Sequence, residues 1–481
     1  MRDAKHIVYN FIWQTDIIMK TISILTGIAL TISGLFTSLA FSDSDSAPTD
    51  SVPESIVDPS PAASVSTSDP CAASCAECNS ACLSAAPDCG FCAACGNPGC
   101  NGCSYSCVPY GFFRNLKKSL CEKTCWSGYI NAGYDANFSG DRSNGLVDAW
   151  NNTTPTLNGL NISAEKKTFT GGYGFDVGYR VDFMFGEDTR IFRSALGLDH
   201  NWGTGHMYNA NTGEYDRPSY GFAMPYLYIE TAINNWSVKA GHFRSIVGYE
   251  GGPAPKRFFY TKGLISSSSQ TGVLATYNGL ENLDITLGWV NGWNNGFDNS
   301  RFNDGMMSGS FTYHINPAAS IKYSFQAGTA DIATVFAYWG ASKWGHTKGV
   351  GAIHCAILDV HLNSALESVT IVNYADFGQA FDSQNGTRAL ILGEHLYYTI
   401  NCCWKAGFRA EWLKQTDYYG TTDDTEVTSF TVGLNWHPGG NQNLYVRPEL
   451  RYDRTTGVCS NHPLNGRADQ FTIGFDVMLT F

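Results

Sequence analysis

Charge is scarce in this chain. Asp, Glu, Lys and Arg make up only 15% of it, and acids outnumber bases to leave a formal net charge of −12. That balance excludes a nucleic-acid partner, because phosphate binding draws on a basic surface. Beyond Ala40 there is no apolar run of the roughly 18 residues that a membrane helix needs. With a mean hydropathy of −0.17, a helical membrane bundle is excluded as well. No histidine lies among the cysteines of Cys71–Cys125 and no C-x2-C-H occurs, which excludes mixed Cys/His zinc sites there and c-type haem attachment. No cofactor motif is present.

What the chain does have is glycine (50), phenylalanine (28), tyrosine (25) and tryptophan (12), a composition that suits a barrel whose strands face water on one side only. The segment Asp469–Phe481 alternates without a break. Phe471, Ile473, Phe475, Val477, Leu479 and Phe481 fall on one face, and Thr472, Gly474, Asp476, Met478 and Thr480 on the other. A tilted strand of that length crosses a bilayer.

The chain divides into four regions. Residues 1–40 read as an export signal: Lys20 precedes the apolar run Ile22–Ala40, which closes on the small residues of Ser38-Leu39-Ala40. Translation is expected to begin at Met19. Residues 41–70, acidic and rich in Ser and Pro, are too poor in apolar groups to offset ordering and are expected to be disordered. Residues 71–125 hold 12 of the 16 cysteines: Cys71, Cys75, Cys78, Cys82, Cys89, Cys92, Cys95, Cys100, Cys103, Cys107, Cys121 and Cys125. In an exported segment such density reads first as a disulfide framework, within one chain or between envelope proteins. Repeated C-x2-C leaves zinc, iron–sulfur or copper binding as the alternative.

Residues 126–481 are the barrel. Alternation marks strands at Trp126–Phe138, Phe175–Phe185, Trp404–Trp412, Leu444–Tyr452 and Asp469–Phe481. Shorter ones fall at Leu227–Ile233, Trp236–Phe243, Val273–Tyr277, Ile285–Trp289, Met307–Ile315, Ile321–Ala327, His354–Leu362, Val369–Phe377, Leu390–Thr399 and Thr428–Trp436. Gly, Asn, Asp and Ser clusters separate them. Charges collect on one face of these strands: Asp176, Arg180 and Asp182; Lys239; Lys405, Arg409 and Glu411; Arg447, Glu449, Arg451 and Asp453. Charge facing hydrocarbon is costly, so these residues are expected to line a water-filled lumen. Trp404, Trp412, Phe175 and Phe185 take girdle positions. The expected fold is all-β, an antiparallel transmembrane barrel with an even number of strands, roughly 16 with 18 possible.

Ser237-Val-Lys-Ala-Gly-His-Phe243, Ile246-Val-Gly-Tyr-Glu250, Phe258-Phe-Tyr260 and Thr271-Gly-Val-Leu-Ala-Thr-Tyr277 resemble the core of the type 2 β-barrel porins, the OmpL-like family. Gly288-Trp289, Gly292-Trp293, Gly296-Phe-Asp298, Arg447-Pro-Glu-Leu-Arg-Tyr-Asp453 and Asp469-Gln-Phe-Thr-Ile-Gly-Phe-Asp476 extend the likeness over roughly Gly128–Phe481. The resemblance implies a porin in the bacterial outer membrane, surrounded by lipid, with Phe481 read by the barrel-assembly machinery. The cysteine-rich segment, which the family pattern lacks, is expected in the periplasm.

The stretch Arg244–Lys262 carries Arg244, Lys256, Arg257 and Lys262 against Glu250, and Pro253 and Pro255 forbid strand continuation. It is either a surface loop or a loop folded into the lumen, where its cations would face carboxylates across a constriction. Asp423-Asp424, Asp182, Glu187, His200, His206 and His242 show no nucleophile-and-base spacing, so no enzyme activity is expected. Asp298–Gly305 lacks the late glutamate of a calcium loop and reads as a plain loop. The expected function is diffusion of small hydrophilic solutes. The alternatives are a disulfide-linked structural barrel and a metal-acquisition barrel with a thiol-rich capture segment.

Overall fold

The computed structural model describes residues 124–138, 155–194, 197–199, 202, 220–249, 254–264, 269–298, 305–331, 348–380, 387–416, 424–457, 464 and 467–481. The chain divides into two compact units, Met1–Val65 and Ser66–Phe481. The first lies outside the described residues, as do the expected signal segment, the linker and the cysteine-rich segment as far as residue 123.

Strands spanning a bilayer leave no backbone group unpaired only if the sheet closes, and this one closes. Its strands are β1 (Cys125–Asn137), β2 (Thr156–Lys166), β3 (Phe175–Gly186), β4 (Gly221–Ala223), β5 (Leu227–Ile233), β6 (Trp236–Arg244), β7 (Ser269–Tyr277), β8 (Leu283–Val290) and β9 (Gly305–Asn316). They continue with β10 (Ala319–Asp331), β11 (Lys348–His361), β12 (Leu366–Ala380), β13 (Thr387–Asn401), β14 (Trp404–Thr416), β15 (Thr425–Trp436), β16 (Leu444–Gly457) and β17 (Asp469–Thr480). Neighbours pair antiparallel, and β17 returns to β1 in a register running from Tyr129↔Thr480 to Asn137↔Thr472. β4 and β5 both pair with β3 and occupy one position of the ring, so the 17 strands make a 16-position barrel. Pro225 lies at the break between them, where a residue without an N–H cannot continue the ladder.

The connections sort by length. Asn234–Asn235, Pro317–Ala318 and Cys402–Cys403 are tight turns at one rim, whereas the long connections, such as 187–220 and 245–268, leave the other. Both barrel termini sit at the short-turn rim, where Gly128 and Phe481 exchange backbone hydrogen bonds of 2.7 and 3.0 Å. Trp404 stacks on Trp436 at 5.3 Å near this rim, and Phe185 packs against Tyr220 near the other.

The faces are inverted relative to a soluble sandwich. On β17, Phe475 is 43% exposed while the neighbouring Asp476 is 0% exposed, so the apolar row points outward to lipid and the polar row inward. Two stretches depart from that plan. On β11–β13 the inward side chains include Ile353, Ile357, Val369, Ile371 and Ile391, all buried in one apolar cluster with Val247 and Phe259. On the outer face, Glu394 lies in mid-β13 and accepts hydrogen bonds from Ser368 Oγ (2.6 Å) and Thr370 Oγ1 (2.7 Å). Two hydroxyl donors offset part of the cost of a carboxylate in the lipid band.

Candidate functional site

Something fills the interior beside the apolar wall, and it is the β6–β7 connection. Residues 254–264 lie inside the barrel, held by side chains of β14 and β16. Arg447 Nη1 donates to the carbonyls of Ala254 (2.9 Å) and Arg257 (2.8 Å). Its Nε and Nη2 are bonded to Asp476 of β17. Arg409 Nη1 donates to the Thr261 carbonyl (3.0 Å), and Arg451 Nη1 to that of Lys262 (2.7 Å). Glu449 accepts from the Thr261 amide (3.1 Å) and from its hydroxyl, and Glu411 from the Leu264 amide (2.8 Å). A loop in this place would otherwise bury backbone groups without partners. Here the wall supplies fixed donors and acceptors for them, several of them charge-assisted.

Shape completes the seat. A Cβ on Gly407 would lie 2.2 Å from the Phe258 ring, and one on Gly474 would lie 2.8 Å from the Tyr260 ring. Phe259 meets Gly433 in the same way and receives the Arg409 guanidinium over its face at 4.6 Å. Wall glycines thus make hollows for three consecutive aromatic side chains. Burial, reinforced by Asp135 and Asp476, pushes the Tyr260 phenol well above its ordinary pKa, so it stays neutral.

The charged ladder expected from the sequence faces inward. Arg409, Glu411, Arg447, Glu449, Arg451 and Asp453 are each at most 3% exposed, because the loop covers them. Arg451 pairs with Asp453 at 2.9 Å and Arg409 with Glu411 at 3.3 Å. The remaining charges stand apart from the loop anchors. Arg180 pairs with Asp182 (2.8 Å) and Glu165 (3.6 Å), and Asp176 with Lys166 (2.7 Å). Lys239 lies over the Tyr228 ring at 4.6 Å. Lys405 pairs with Glu367 (3.2 Å) at the short-turn rim.

Of the stretch Arg244–Lys262, residues 254–262 lie against the inner wall, which meets them with arginines and carboxylates alike. Wall arginines hold loop carbonyls, whereas the loop's own Arg257 pairs with Asp188 of another connection at 3.2 Å. Arg244 ends β6, bonded to Ser269 Oγ (3.1 Å), and Lys256 is exposed. Glu250 lies outside the described residues, as do Cys71–Cys121, His200, His206, Asp423 and residues 299–304 of the Asp298–Gly305 loop. Cys125 carries a thiol at the start of β1. Asp182 is engaged by Arg180 and Ser163, and His242 by Thr271. The anchors Thr261, Asp476 and Asp188, and the wall glycines, have no role in the sequence reading. The signal available for them was the run Phe258-Phe-Tyr260 opposite glycines that interrupt apolar strands.

A closed 16-position barrel with polar groups inside, an apolar belt outside and a loop docked in the lumen defines the porin class. The family model described as "Putative beta-barrel porin-2, OmpL-like" matches residues 123–481, and the chain belongs to that family of outer-membrane proteins. Among solved structures it is similar to the outer membrane channel DcaP of Acinetobacter baumannii, at 11% identity and a TM-score of 0.50 over 74% of this chain and 97% of that one. It is also similar to OmpT of Vibrio cholerae (10%, TM-score 0.47) and to an anion-selective porin from Comamonas acidovorans (9%, TM-score 0.47), each over 74% of this chain and 99% of theirs. At these identities the likeness is one of fold. No curated protein matches the sequence.

Proposed function

We propose that the protein lets small hydrophilic solutes or ions diffuse through the lumen, along the side that the loop leaves open. The observation that carries this reading is the position of 254–264. The loop is bound to β14 and β16 and backed by the apolar wall of β11–β13, so the passage runs beside β2–β6. There the partly exposed Glu165, Arg180, Glu230 and Lys239 offer water-like partners to a solute. Planar-bilayer recording from purified, heat-modifiable protein tests it. Discrete conductance steps are expected, and folded protein without them would overturn the reading.

The short-turn rim faces the periplasm in barrels of this kind, and β1 begins there, so the cysteine-rich segment is assigned to that side. Cys402, in the β13–β14 turn at the same rim, is disulfide-bonded. Cys125, Cys355 and Cys403 carry thiols. On this reading a cysteine of Cys71–Cys121 supplies the partner of Cys402, and the bond ties that segment to the periplasmic rim. Non-reducing peptide mapping should recover Cys402 linked to a peptide of that segment. Recovery with Cys459 instead would overturn the tether while leaving the pore reading intact.

A further inference from the structure

We propose that Asp359, His361 and Glu367 form a binding site for a divalent transition-metal ion at the short-turn mouth of the barrel. His361, the last residue of β11, is the direct cross-strand partner of Glu367 on β12. Asp359 lies two residues before His361 and therefore on the same, inward face. One imidazole nitrogen and two carboxylate oxygens lie within 4.8 Å of one another. Bound to one ion at about 2.0–2.2 Å, such donors stand some 3–4 Å apart, a closing that rotation of the exposed His361 ring toward the half-buried carboxylates supplies. The donors sit on paired strands and not on a loop, so the backbone holds their spacing.

The balance of partners points to a cation. Asp359 Oδ1 is buried and has no hydrogen-bond partner, a costly state for a carboxylate oxygen. The cation adjoining the trio is Lys405, and it pairs with Glu367. Beside Asp359 and His361 opens a cavity of about 410 Å³, bordered also by His314, Asn316 and Ser320. That is room for the water molecules that complete a coordination shell. Across it, His314 Nε2 is held by Asp284 at 3.0 Å. The mixed nitrogen and oxygen donors suit Zn²⁺ and its divalent first-row neighbours. Ca²⁺ takes 6–8 oxygen ligands and Cu(I) prefers sulfur, so neither fits as well.

Binding at this site does not depend on whether the barrel conducts. The test is site-resolved, because the cysteines outside the barrel would add thiol-bound metal to any bulk titration. Untagged, folded full-length protein is treated with diethyl pyrocarbonate with and without micromolar Zn²⁺, and modification of each histidine is read by mass spectrometry. His361 should be modified about tenfold or more slowly with Zn²⁺ present, while His437 serves as a distant control. Asp359→Asn and Glu367→Gln should each abolish that protection in barrels that remain heat-modifiable, since even second-shell losses weaken metal sites roughly 10- to 100-fold. Equal reactivity of His361 with and without Zn²⁺ would overturn the site. Protection that survives both carboxylate changes would overturn it too, because it would reduce the contact to a lone histidine. If either variant fails to fold, His361→Gln provides the check, with Zn²⁺ then expected to lose its effect on the thermal midpoint of the barrel. An unchanged Zn²⁺ shift in that variant would count against the site.

Discussion

Replacing Arg447 with Met separates what holds the loop from what holds the barrel. Two consequences follow at once. The loop loses two hydrogen bonds from a charged donor, to Ala254 and Arg257, and Asp476 of β17 loses its buried partner. Hydrogen bonds to charged groups contribute roughly 1.5–3 kcal/mol each. Water in the lumen replaces part of that, leaving about 2 kcal/mol for docking. A loss of that size raises the undocked population of the loop about 30-fold. The stranded Asp476 costs a further 3–5 kcal/mol or so, and that cost falls on the β16–β17 wall. Arg447→Met with Asp476→Asn removes the stranded charge but cannot restore the loop bonds. Heat-modifiability reads the barrel, and the conductance and open-channel noise of single pores read the loop. The single variant should unfold more readily and conduct noisily, whereas the double variant should recover most of the stability and keep the noise. A double variant with the conductance and noise of the natural protein would refute Arg447 as an anchor.

Further outcomes follow from the same contacts. Gly407→Leu places a side chain where the Phe258 ring sits, so it should raise conductance by displacing the loop, and Phe258→Ala in the same chain should restore the natural value. Glu394→Leu removes a lipid-facing carboxylate and should leave the urea midpoint of the folded barrel unchanged or higher; a clear loss of stability would show that Glu394 has a partner outside this chain. Burial holds the His437 imidazole, in the β15–β16 turn, below its usual pKa of 6.5. The neutral form is the one the fold accepts, so its contribution is full above pH 6.5 and is lost as pH falls through the lowered value. His437→Phe should flatten that acid-side loss in thermal midpoints measured between pH 7 and pH 4, and an unchanged pH profile would refute the assignment.

Most of the barrel was legible because lipid outside and polar groups inside force a period of two, and that period survives in β3, β14, β16 and β17 almost to the residue. β2 (Thr156–Lys166) was missed because a bulge shifts its parity: Leu157 lies on the outward row before the shift, Leu160 and Ile162 after it, so no single period of two runs through the strand. β4 was missed because it is three residues long and Pro225 separates it from β5. The inward direction of Arg409, Arg447 and Arg451 could be read from the same alternation. Their service to loop carbonyls could not, since a donor facing a lumen looks the same in sequence whether water or backbone receives it. The Asp359–His361–Glu367 trio escaped for a related reason. His361 and Glu367 meet only through the register of a hairpin, and two acids and a histidine near a turn carry no signature spacing.

The inward apolar row of β11–β13 and the loop inside the barrel explain each other. An inward apolar row on β11–β13 would be unfavourable facing an open aqueous pore, and a loop inside a barrel would be unfavourable against a uniformly polar wall that offered it no packing. Together they form one cluster, in which Val247 and Phe259 of the connection cover Ile357, Val369 and Ile371. The charged residues of β14 and β16 then bind the loop backbone on the other side. The loop is gripped on two faces by chemically opposite surfaces, which fixes its position more firmly than either could alone. On the proposed reading, water and solute are left to the β2–β6 wall, where Glu165, Arg180, Glu230 and Lys239 are partly exposed. A polar substitution on the apolar side, such as Ile371→Asn, should therefore loosen the loop as Arg447→Met does. By the same reasoning, Lys239→Glu should alter ion preference with little effect on loop noise, since its charge borders the passage and holds no part of the loop. Reversal-potential measurements in a salt gradient would decide it: a shift toward cations is expected, and none would mean that the passage runs elsewhere.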